Sequence, residues 1–142
     1  MKTSCSRFAQ CLYFMSGALA RKVEKLAQES WAPVGLSPSH AYLLLATLDE
    51  PGIGPGALAG QLQLQPSTIT RLMQKLEEKK LIVRTTEGKL TNVYPTPKAK
   101  DLVPKLHACL EDFYGRIEAL APPPEGGALL QAMSRIADRL ED

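Results

Sequence analysis

Residues 56–80 read GALAGQLQLQPSTITRLMQKLEEKK, and residues 81–97 continue with LIVRTTEGKLTNVYPTP. The first stretch has the amphipathic pattern of two short helices joined by a tight turn. In the second, Ile82–Thr86 and Leu90–Tyr94 are apolar or β-branched enough for two strands, with Glu87-Gly88-Lys89 as the turn between them. This order of elements predicts a winged helix-turn-helix, an architecture that commonly places one helix in the major groove of DNA.

The composition is that of a folded chain with one domain. It has 142 residues, of which 44% are hydrophobic and 23% charged, and this length suffices to bury a core. The longest apolar runs, such as Ala41–Leu45, are too short to span a bilayer, and residues 1–22 have the mixed polarity of a helix rather than of a signal peptide. No membrane partner is therefore expected. Three cysteines, an odd number, argue against a disulfide framework and predict a reducing, cytoplasmic setting.

Positive charge is concentrated where the motif lies. The whole chain carries a net charge of only +2, but residues 66–105 hold nine basic and four acidic side chains, whereas residues 106–142 hold three basic and seven acidic ones. Electrostatic attraction to phosphates requires such a concentration of basic residues. A solvated charged face would explain the charge alone equally well; its coincidence with the motif favours DNA.

Long amphipathic helices are predicted on both sides of the motif. Pro33 and Gly35 end the first, and Ser37-Pro38 supplies an N-cap and first-turn proline for the next. Pro97 begins a long helix that runs to about Ala121, and Pro104 must kink this helix or delay its start. The predicted apolar faces comprise Phe8, Leu12, Met15, Leu19, Val23 and Leu26 in the first helix; Leu102, Leu106, Leu110, Phe113, Ile117 and Leu120 in the long C-terminal helix; and Leu129, Met133, Ile136 and Leu140 on the inner face of the last.

The second helix of the motif divides into an inward and an outward face. Ile69, Leu72, Met73 and Leu76 share one stripe and are predicted to pack inward. On the opposite side, Arg71 and Gln74 carry the forked groups that read guanine and adenine, whereas Lys75 suits a phosphate contact. The alternative for Arg71 and Gln74 is a solvent-exposed pair on a surface helix. The residues predicted to contact DNA are Pro66, Ser67, Thr68, Thr70, Arg71, Gln74, Lys75, Arg84 and Lys89.

The stretch ALAGQLQLQPSTITRLMQKLEEKKLIVR, preceded by GLSPSHAYLLLATLDEPGI and followed by VYPTPKAKDL, resembles the MarR (multiple-antibiotic-resistance regulator) family. The resemblance is strongest over residues 35–102. It implies a homodimer that binds a palindromic operator on double-stranded DNA and usually acts as a repressor. In such a dimer a small ligand, often aromatic, or an oxidant changes the spacing of two winged lobes, which is a population shift between two geometries. Arg84 occupies a position where the family often has arginine.

The chain departs from the family pattern in the wing and at helix ends. The hairpin is short, and Lys89 is its sole basic residue at the tip. The sequence therefore gives little support for a contact between the wing and the minor groove of DNA. Gln63, Lys80 and Ala99 stand where the family tends to use glycine. If the backbone at Gln63 or Lys80 is left-handed, each costs up to about 1 kcal/mol relative to glycine.

The expected organisation is a mainly α-helical fold with a small β-hairpin wing. Residues 1–34 form an N-terminal dimerisation helix, residues 35–96 the winged helix-turn-helix, and residues 97–142 the C-terminal dimerisation helices, all within one intertwined domain. Terminal helices with long apolar faces need a partner to cover them, which agrees with the dimer that the resemblance implies.

Two regulatory sites are predicted. A ligand cavity between the dimerisation helices and the winged lobe would be formed near Trp31, His40, Tyr42 and Leu43. Cys11 lies close to where the peroxide-sensing branch of the family carries its reactive thiol; the alternative is that Cys11 is a small apolar residue in the dimer interface.

Other chemistry finds little support in the sequence. No nucleophile–base–acid set stands out, so neither an enzyme nor a cofactor is expected. His107 and Cys109, two residues apart on a helix, point to different sides and cannot chelate a metal. Two hypotheses remain: a dimeric regulator that responds to a ligand or, through Cys11, to an oxidant, and a winged-helix module that serves protein assembly without specific DNA binding.

Overall fold

The fold is mainly helical with one antiparallel hairpin, as the sequence predicts. The computed structural model describes residues 1–141. Seven α-helices and two strands follow in the order α1 (Leu12–Trp31), α2 (Pro38–Asp49), α3 (Pro55–Leu62), α4 (Pro66–Glu78), β1 (Ile82–Glu87), β2 (Leu90–Pro95), α5 (Pro97–Asp101), α6 (Val103–Leu120) and α7 (Glu125–Arg139), with short 3-10 helices at Thr3–Cys5 and Ala32–Val34. No helix among these residues is long and apolar enough to cross a membrane.

The core lies where the helix-turn-helix, the hairpin and the inner ends of α1 and α6 meet. Trp31 from α1, Leu43 and Leu44 from α2 and Val93 from β2 are all fully buried there. Leu106 and Cys109 close the core from α6. The winged lobe is therefore packed against the inner ends of the terminal helices.

The N-terminal helix begins at Leu12, so the prediction that it includes Phe8 is wrong. Cys11 has an extended backbone, with φ −98° and ψ 120°. The hydroxyl of Ser6 accepts a hydrogen bond from the Phe8 amide at 3.1 Å, and such local bonds compete with a helix. Phe8 packs instead against Phe14, with 5.9 Å between the ring centroids.

The predicted proline and glycine boundaries are confirmed. Gly35 follows the 3-10 turn with φ 69°, a left-handed conformation that glycine adopts without strain. Ser37 caps α2 by accepting from the His40 amide. The long C-terminal helix breaks into α5 and α6 around Leu102, just before Pro104, which cannot donate a hydrogen bond and clashes with the preceding turn.

The last helix differs from its prediction. Leu129, Met133, Ile136 and Leu140 were expected on an inner face, yet all four side chains are exposed in the single chain. None of the residues of α7, all of which the structure describes, is buried. The apolar face exists as predicted, but the chain itself does not cover it.

Two non-glycine residues adopt left-handed backbone at the helix ends, Gln63 with φ 54° and Lys80 with φ 61°. Gln63 is compensated by a hydrogen bond from its side chain to the Gly60 carbonyl at 2.8 Å. We expect Lys80→Gly to raise the free energy of unfolding by up to about 1 kcal/mol, because glycine has no Cβ to strain this conformation. Urea unfolding at fixed protomer concentration measures it. Lys80→Ala, which keeps the Cβ, is the control; a Lys80→Gly midpoint no higher than that of the control contradicts the prediction.

Candidate nucleic-acid interface

Helix α4 presents one buried and one exposed face. Ile69, Leu72, Met73 and Leu76 are buried, as predicted. Ser67, Arg71, Gln74 and Glu78 are exposed on the other side. The inward stripe anchors α4 against α2 and α3, so the outward side chains project from a rigid support.

The start of α4 has the features of an anion-binding helix end. Gln65 has an extended backbone and provides no side-chain cap, and Pro66 occupies the first turn. The first amides of such a helix lack intrahelical partners and carry the positive end of its dipole. Ser67 and Thr68 add hydroxyl groups beside them. The Thr70 hydroxyl donates to the Pro66 carbonyl at 3.0 Å, which leaves its lone pairs as acceptors.

The turn between α3 and α4 holds the two helices in a fixed relation. Gln63 ends α3 in the left-handed conformation, and the Leu64 amide donates to the Ala59 carbonyl at 3.1 Å. Leu58 from α3 is fully buried against the core. This compact connection places α3 against the buried side of α4, opposite its exposed face.

The wing is a hairpin of two six-residue strands. Glu87 pairs with Leu90, and the tight turn between them uses Gly88 with φ 63° in its first position, as hairpin turns of two residues require. Lys89 is exposed at the tip. The base of the wing is tied to the loop before α3 by the bridge between Ile53 and Val93.

Arg84 lies near the base of the wing and faces α4. Its guanidinium Nη2 is 2.6 Å from Glu77 Oε1 on α4, and about a third of each side chain is exposed. Lys75 Nζ is 3.8 Å from Glu78 Oε2, in a pair that is 55% and 69% exposed. The Lys75 charge is therefore open to solvent, whereas that of Arg84 is compensated within the fold.

His40 lies at the start of α2, close to the basic end of α4. Its Nδ1 is hydrogen-bonded to the Ser37 hydroxyl. Burial, and then the positive charges of Lys79 and Lys75, lower the pKa of His40 below the usual value. The His40 side chain therefore faces the basic end of α4 within the winged lobe.

Comparisons with known proteins agree with this geometry. Residues 34–89, which run from the turn before α2 to the tip of the wing, match the model of the MarR family. The winged helix-turn-helix region of the chain is thus similar to the MarR family. The repressor MdtR of Bacillus subtilis is 28% identical over 72 residues, which are 51% of this chain and 46% of that repressor. The chain therefore aligns with less than half of the length of that relative.

Solved structures of the same fold extend the likeness to nearly the whole chain. The transcriptional repressor CouR, known from Rhodococcus jostii RHA1, has been solved bound to a 23-mer DNA duplex; it superimposes with a TM-score of 0.83 and 20% identity, covering 96% of this chain and 98% of its own. The regulator PcaV of Streptomyces coelicolor, solved with its natural ligand, gives a TM-score of 0.81 and 19% identity over 96% of this chain and 99% of its own. At such identities these likenesses establish the winged-helix fold.

A large apolar cleft of about 1840 Å³ lies between α1, α2, α6 and α7. Tyr42 lines it, but the other three residues of the predicted cavity do not. Trp31 and Leu43 are fully buried core residues. The Trp31 ring packs edge-on against Tyr42, with 5.7 Å between the ring centroids. His40 faces the basic end of α4 instead.

The sequence reasoning missed the polar residues of this cleft. His107 on α6 and Tyr114, about two α-helical turns further on, both line it. Burial, and then the neighbouring Tyr114, raise the pKa of Tyr42. The periodicity of α6 contained the signal, since positions 103, 107, 110 and 114 follow one helical face.

The cysteines occupy three different environments. Cys5 and Cys11 are exposed and Cys109 is buried. Cys109 packs in the core, and burial, and then the nearby Asp112 carboxylate, raise the pKa of its thiol. Cys11 precedes α1 rather than lying within it. Its role as an oxidant sensor stays a prediction.

Proposed function

We propose that this chain is a dimeric, sequence-specific DNA-binding transcriptional regulator that represses its target genes and is released by a small ligand. The observation that carries the proposal is the outward face of α4. Its Arg71 and Gln74 are exposed, basic and amide groups are clustered around them, and the opposite face is anchored in the core. That arrangement suits insertion into a major groove.

The interface divides by role. Arg71 has the bidentate donors that match guanine, and Gln74 has the donor and acceptor that match adenine. Phosphate contacts come from the hydroxyls of Ser67, Thr68 and Thr70, from the Ser67 amide at the start of the helix, from Lys75, and from Lys89 at the wing tip. The contacts to bases therefore determine sequence specificity, whereas the contacts to phosphates supply most of the affinity and its dependence on salt.

Exposed apolar surface on the terminal helices supports a homodimer. The large apolar side chains exposed on α1, α6 and α7 are Leu12, Tyr13, Leu19, Tyr114, Leu120, Leu129, Leu130, Met133 and Ile136. A contiguous surface of this kind is characteristic of a protein interface. A two-fold dimer predicts a palindromic operator with half-sites about one helical turn apart.

Repression and ligand release rest on the relatives and on the cleft. MdtR is a repressor, and CouR is a repressor solved both with DNA and with p-coumaroyl-CoA. In this chain Tyr42, His107 and Tyr114 bring polar groups to the wall of the apolar cleft, and a small aromatic ligand would occupy the part of it that the partner subunit does not cover. It lies between the dimerisation helices and the winged lobe, so a bound ligand can bias the distance between the two lobes.

Selection from a pool of random duplexes tests the proposal. The purified full chain is incubated with the pool at two salt concentrations, and bound duplexes are enriched and sequenced. Recovery of a palindrome is the expected result. Binding that is weak, indifferent to sequence and abolished by modest salt would instead favour the protein-assembly module.

Arg71→Ala is expected to cost about 1–3 kcal/mol of specific binding and to relax selectivity at one base pair of each half-site. The physical reason is the loss of two parallel hydrogen bonds to a base edge. Titration of the selected operator and of a single-base variant measures both effects. An unchanged ratio between the two duplexes refutes base reading by Arg71.

Lys75→Ala is expected to weaken binding to all duplexes alike and to lower the slope of log affinity against log salt by about one unit. A phosphate contact strengthens binding without choosing sequence. Lys25→Ala removes the same charge from the exposed surface of α1 and is the matched control. A Lys75→Ala slope equal to that of Lys25→Ala contradicts the assignment.

A further inference from the structure

The ion pair between Arg84 and Glu77 connects the wing to the recognition helix α4. It joins β1 to the last turn of α4 across 2.6 Å between Nη2 and Oε1. Side chains alternate along a strand, so Arg84 shares its face with Ile82, which is fully buried, whereas Val83 on the other face is half exposed. The arginine thus lies on the face of the hairpin that packs on the lobe.

Two further hydrogen bonds fasten the same corner. The Thr96 hydroxyl, just after β2, donates to the Lys80 carbonyl at 2.7 Å. Lys98 Nζ donates to the Lys79 carbonyl at 2.9 Å. Both bonds secure the end of the hairpin nearest to the core. The Glu77–Arg84 pair is the contact that reaches from α4 furthest along the wing among the ion pairs of residues 1–141.

We propose that Glu77 and Arg84 form a strut that sets the angle between the recognition helix and the wing, and that Arg84 is a positioning residue and not a DNA contact. The proposal rests on the proposed function, and it revises the expectation that Arg84 contacts DNA. The guanidinium already has a charged partner at hydrogen-bonding distance, with two thirds of each side chain shielded from water. A phosphate at the same Nη2 would compete with that partner and weaken the charge compensation of Glu77 beside the DNA.

The strut matters because the wing is otherwise short and narrow. A two-stranded hairpin is marginally stable by itself, and Lys89 at its tip lies seven residues beyond the buried Ile82. A small rotation at the base moves the tip across the DNA backbone. Holding the angle in advance lets α4 and Lys89 engage one duplex together without a further ordering cost.

Arg84 as part of a strut and Arg84 as a phosphate contact predict different results when either partner of the ion pair is replaced. If the pair is a strut, Glu77→Gln and Arg84→Gln each weaken specific binding by about 5- to 30-fold, and the double variant is no weaker than either single one. The salt slope then stays within about 0.3 units of the wild type, because no phosphate contact is lost. If Arg84 instead contacts a phosphate, Arg84→Gln lowers the slope by about 0.9, and Glu77→Gln strengthens binding; either result overturns the strut.

Glu78→Gln is the matched control. It removes the same charge from the same turn of α4, but its partner Lys75 is 3.8 Å away and the pair is largely exposed. We expect Glu78→Gln to leave binding unchanged or slightly stronger. A loss equal to that of Glu77→Gln would mean that charge alone, not the strut, explains the effect.

Amide hydrogen exchange of the free protein, without DNA, tests the strut independently of the proposed function. We expect amides of β1 and β2 to exchange faster in Glu77→Gln than in Glu78→Gln, while those of α2 are unchanged. Equal rates in the two variants overturn the strut. Absence of specific binding by the wild type would refute the proposed function, and the exchange rates would still decide whether the strut exists.

Discussion

Ile136→Asp is expected to convert the proposed dimer into monomers. Ile136 lies on the exposed apolar face of α7, with 40% of its surface accessible in the single chain. In a two-fold interface the same residue is buried twice, so each dimer would have to bury two carboxylates. An unpaired buried charge costs several kcal/mol, and we expect the dimer dissociation constant to rise at least about 100-fold, corresponding to roughly 3 kcal/mol.

The loss of the dimer also removes one of two recognition helices from the operator. Linked sites gain about 10²- to 10⁴-fold in avidity, so operator affinity is expected to fall within that range. Sedimentation velocity over a dilution series measures the assembly state, and titration of the palindrome measures binding. A half-site duplex should be bound equally by the variant and the wild type.

Gln131→Asp provides the control for Ile136→Asp. Gln131 is exposed and lies on the side of α7 opposite to the apolar stripe, so it adds the same charge to the same helix. We expect this variant to stay dimeric. A dimeric Ile136→Asp, or dissociation of both variants alike, would contradict an interface built on the apolar face of α7.

Leu76→Ala is expected to lower the free energy of unfolding by about 2–5 kcal/mol. Leu76 is fully buried in the last turn of α4, and its carbonyl accepts the Leu81 amide at 2.9 Å where the chain turns into β1. Truncation removes three carbons from the core and leaves a cavity beneath the recognition helix. The loss is a large part of the stability of an ordinary domain.

Gln74→Ala, two residues earlier on the exposed face, separates folding from binding. We expect this variant to unfold within about 0.5 kcal/mol of the wild type while it binds the operator less selectively. Urea unfolding at one protomer concentration compares the two variants, since stability is linked to dimerisation. A Leu76→Ala midpoint equal to that of Gln74→Ala would mean that the inward stripe does not anchor α4.

The local elements of the lobe follow from short-range patterns. The four apolar residues from Ile69 to Leu76 recur with helical spacing, and that spacing alone assigned the buried face of α4 correctly. Proline and glycine act through their own backbone limits, so the ends of α1 and α2 and the break before Pro104 were predictable. The hairpin was predicted to within one residue at each outer end, because its β-branched residues flank a glycine turn.

Other features depended on contacts that the sequence pattern does not contain. The N-terminal helix begins at Leu12 rather than Phe8, and the Ser6–Phe8 hydrogen bond is a local contact that competes with a helix in this segment. Trp31 and Leu43 were assigned to a cavity, but aromatic and aliphatic side chains suit a core and a pocket equally well. Only the packing of α1 on α2 placed them in the core and left Tyr42 at the cleft.

The sequence by itself determined the winged helix-turn-helix, the two faces of α4 and the concentration of basic residues around it, since these depend on periodicity, turn chemistry and charge. Only the tertiary structure decided that Arg84 pairs with Glu77, seven residues earlier, that His40 lies beside Lys75 and Lys79, and that the apolar face of α7 is uncovered within one chain. The reason is physical. Propensity acts over a few neighbouring residues, whereas the partner of a charge or an apolar face is set by which elements the fold brings together.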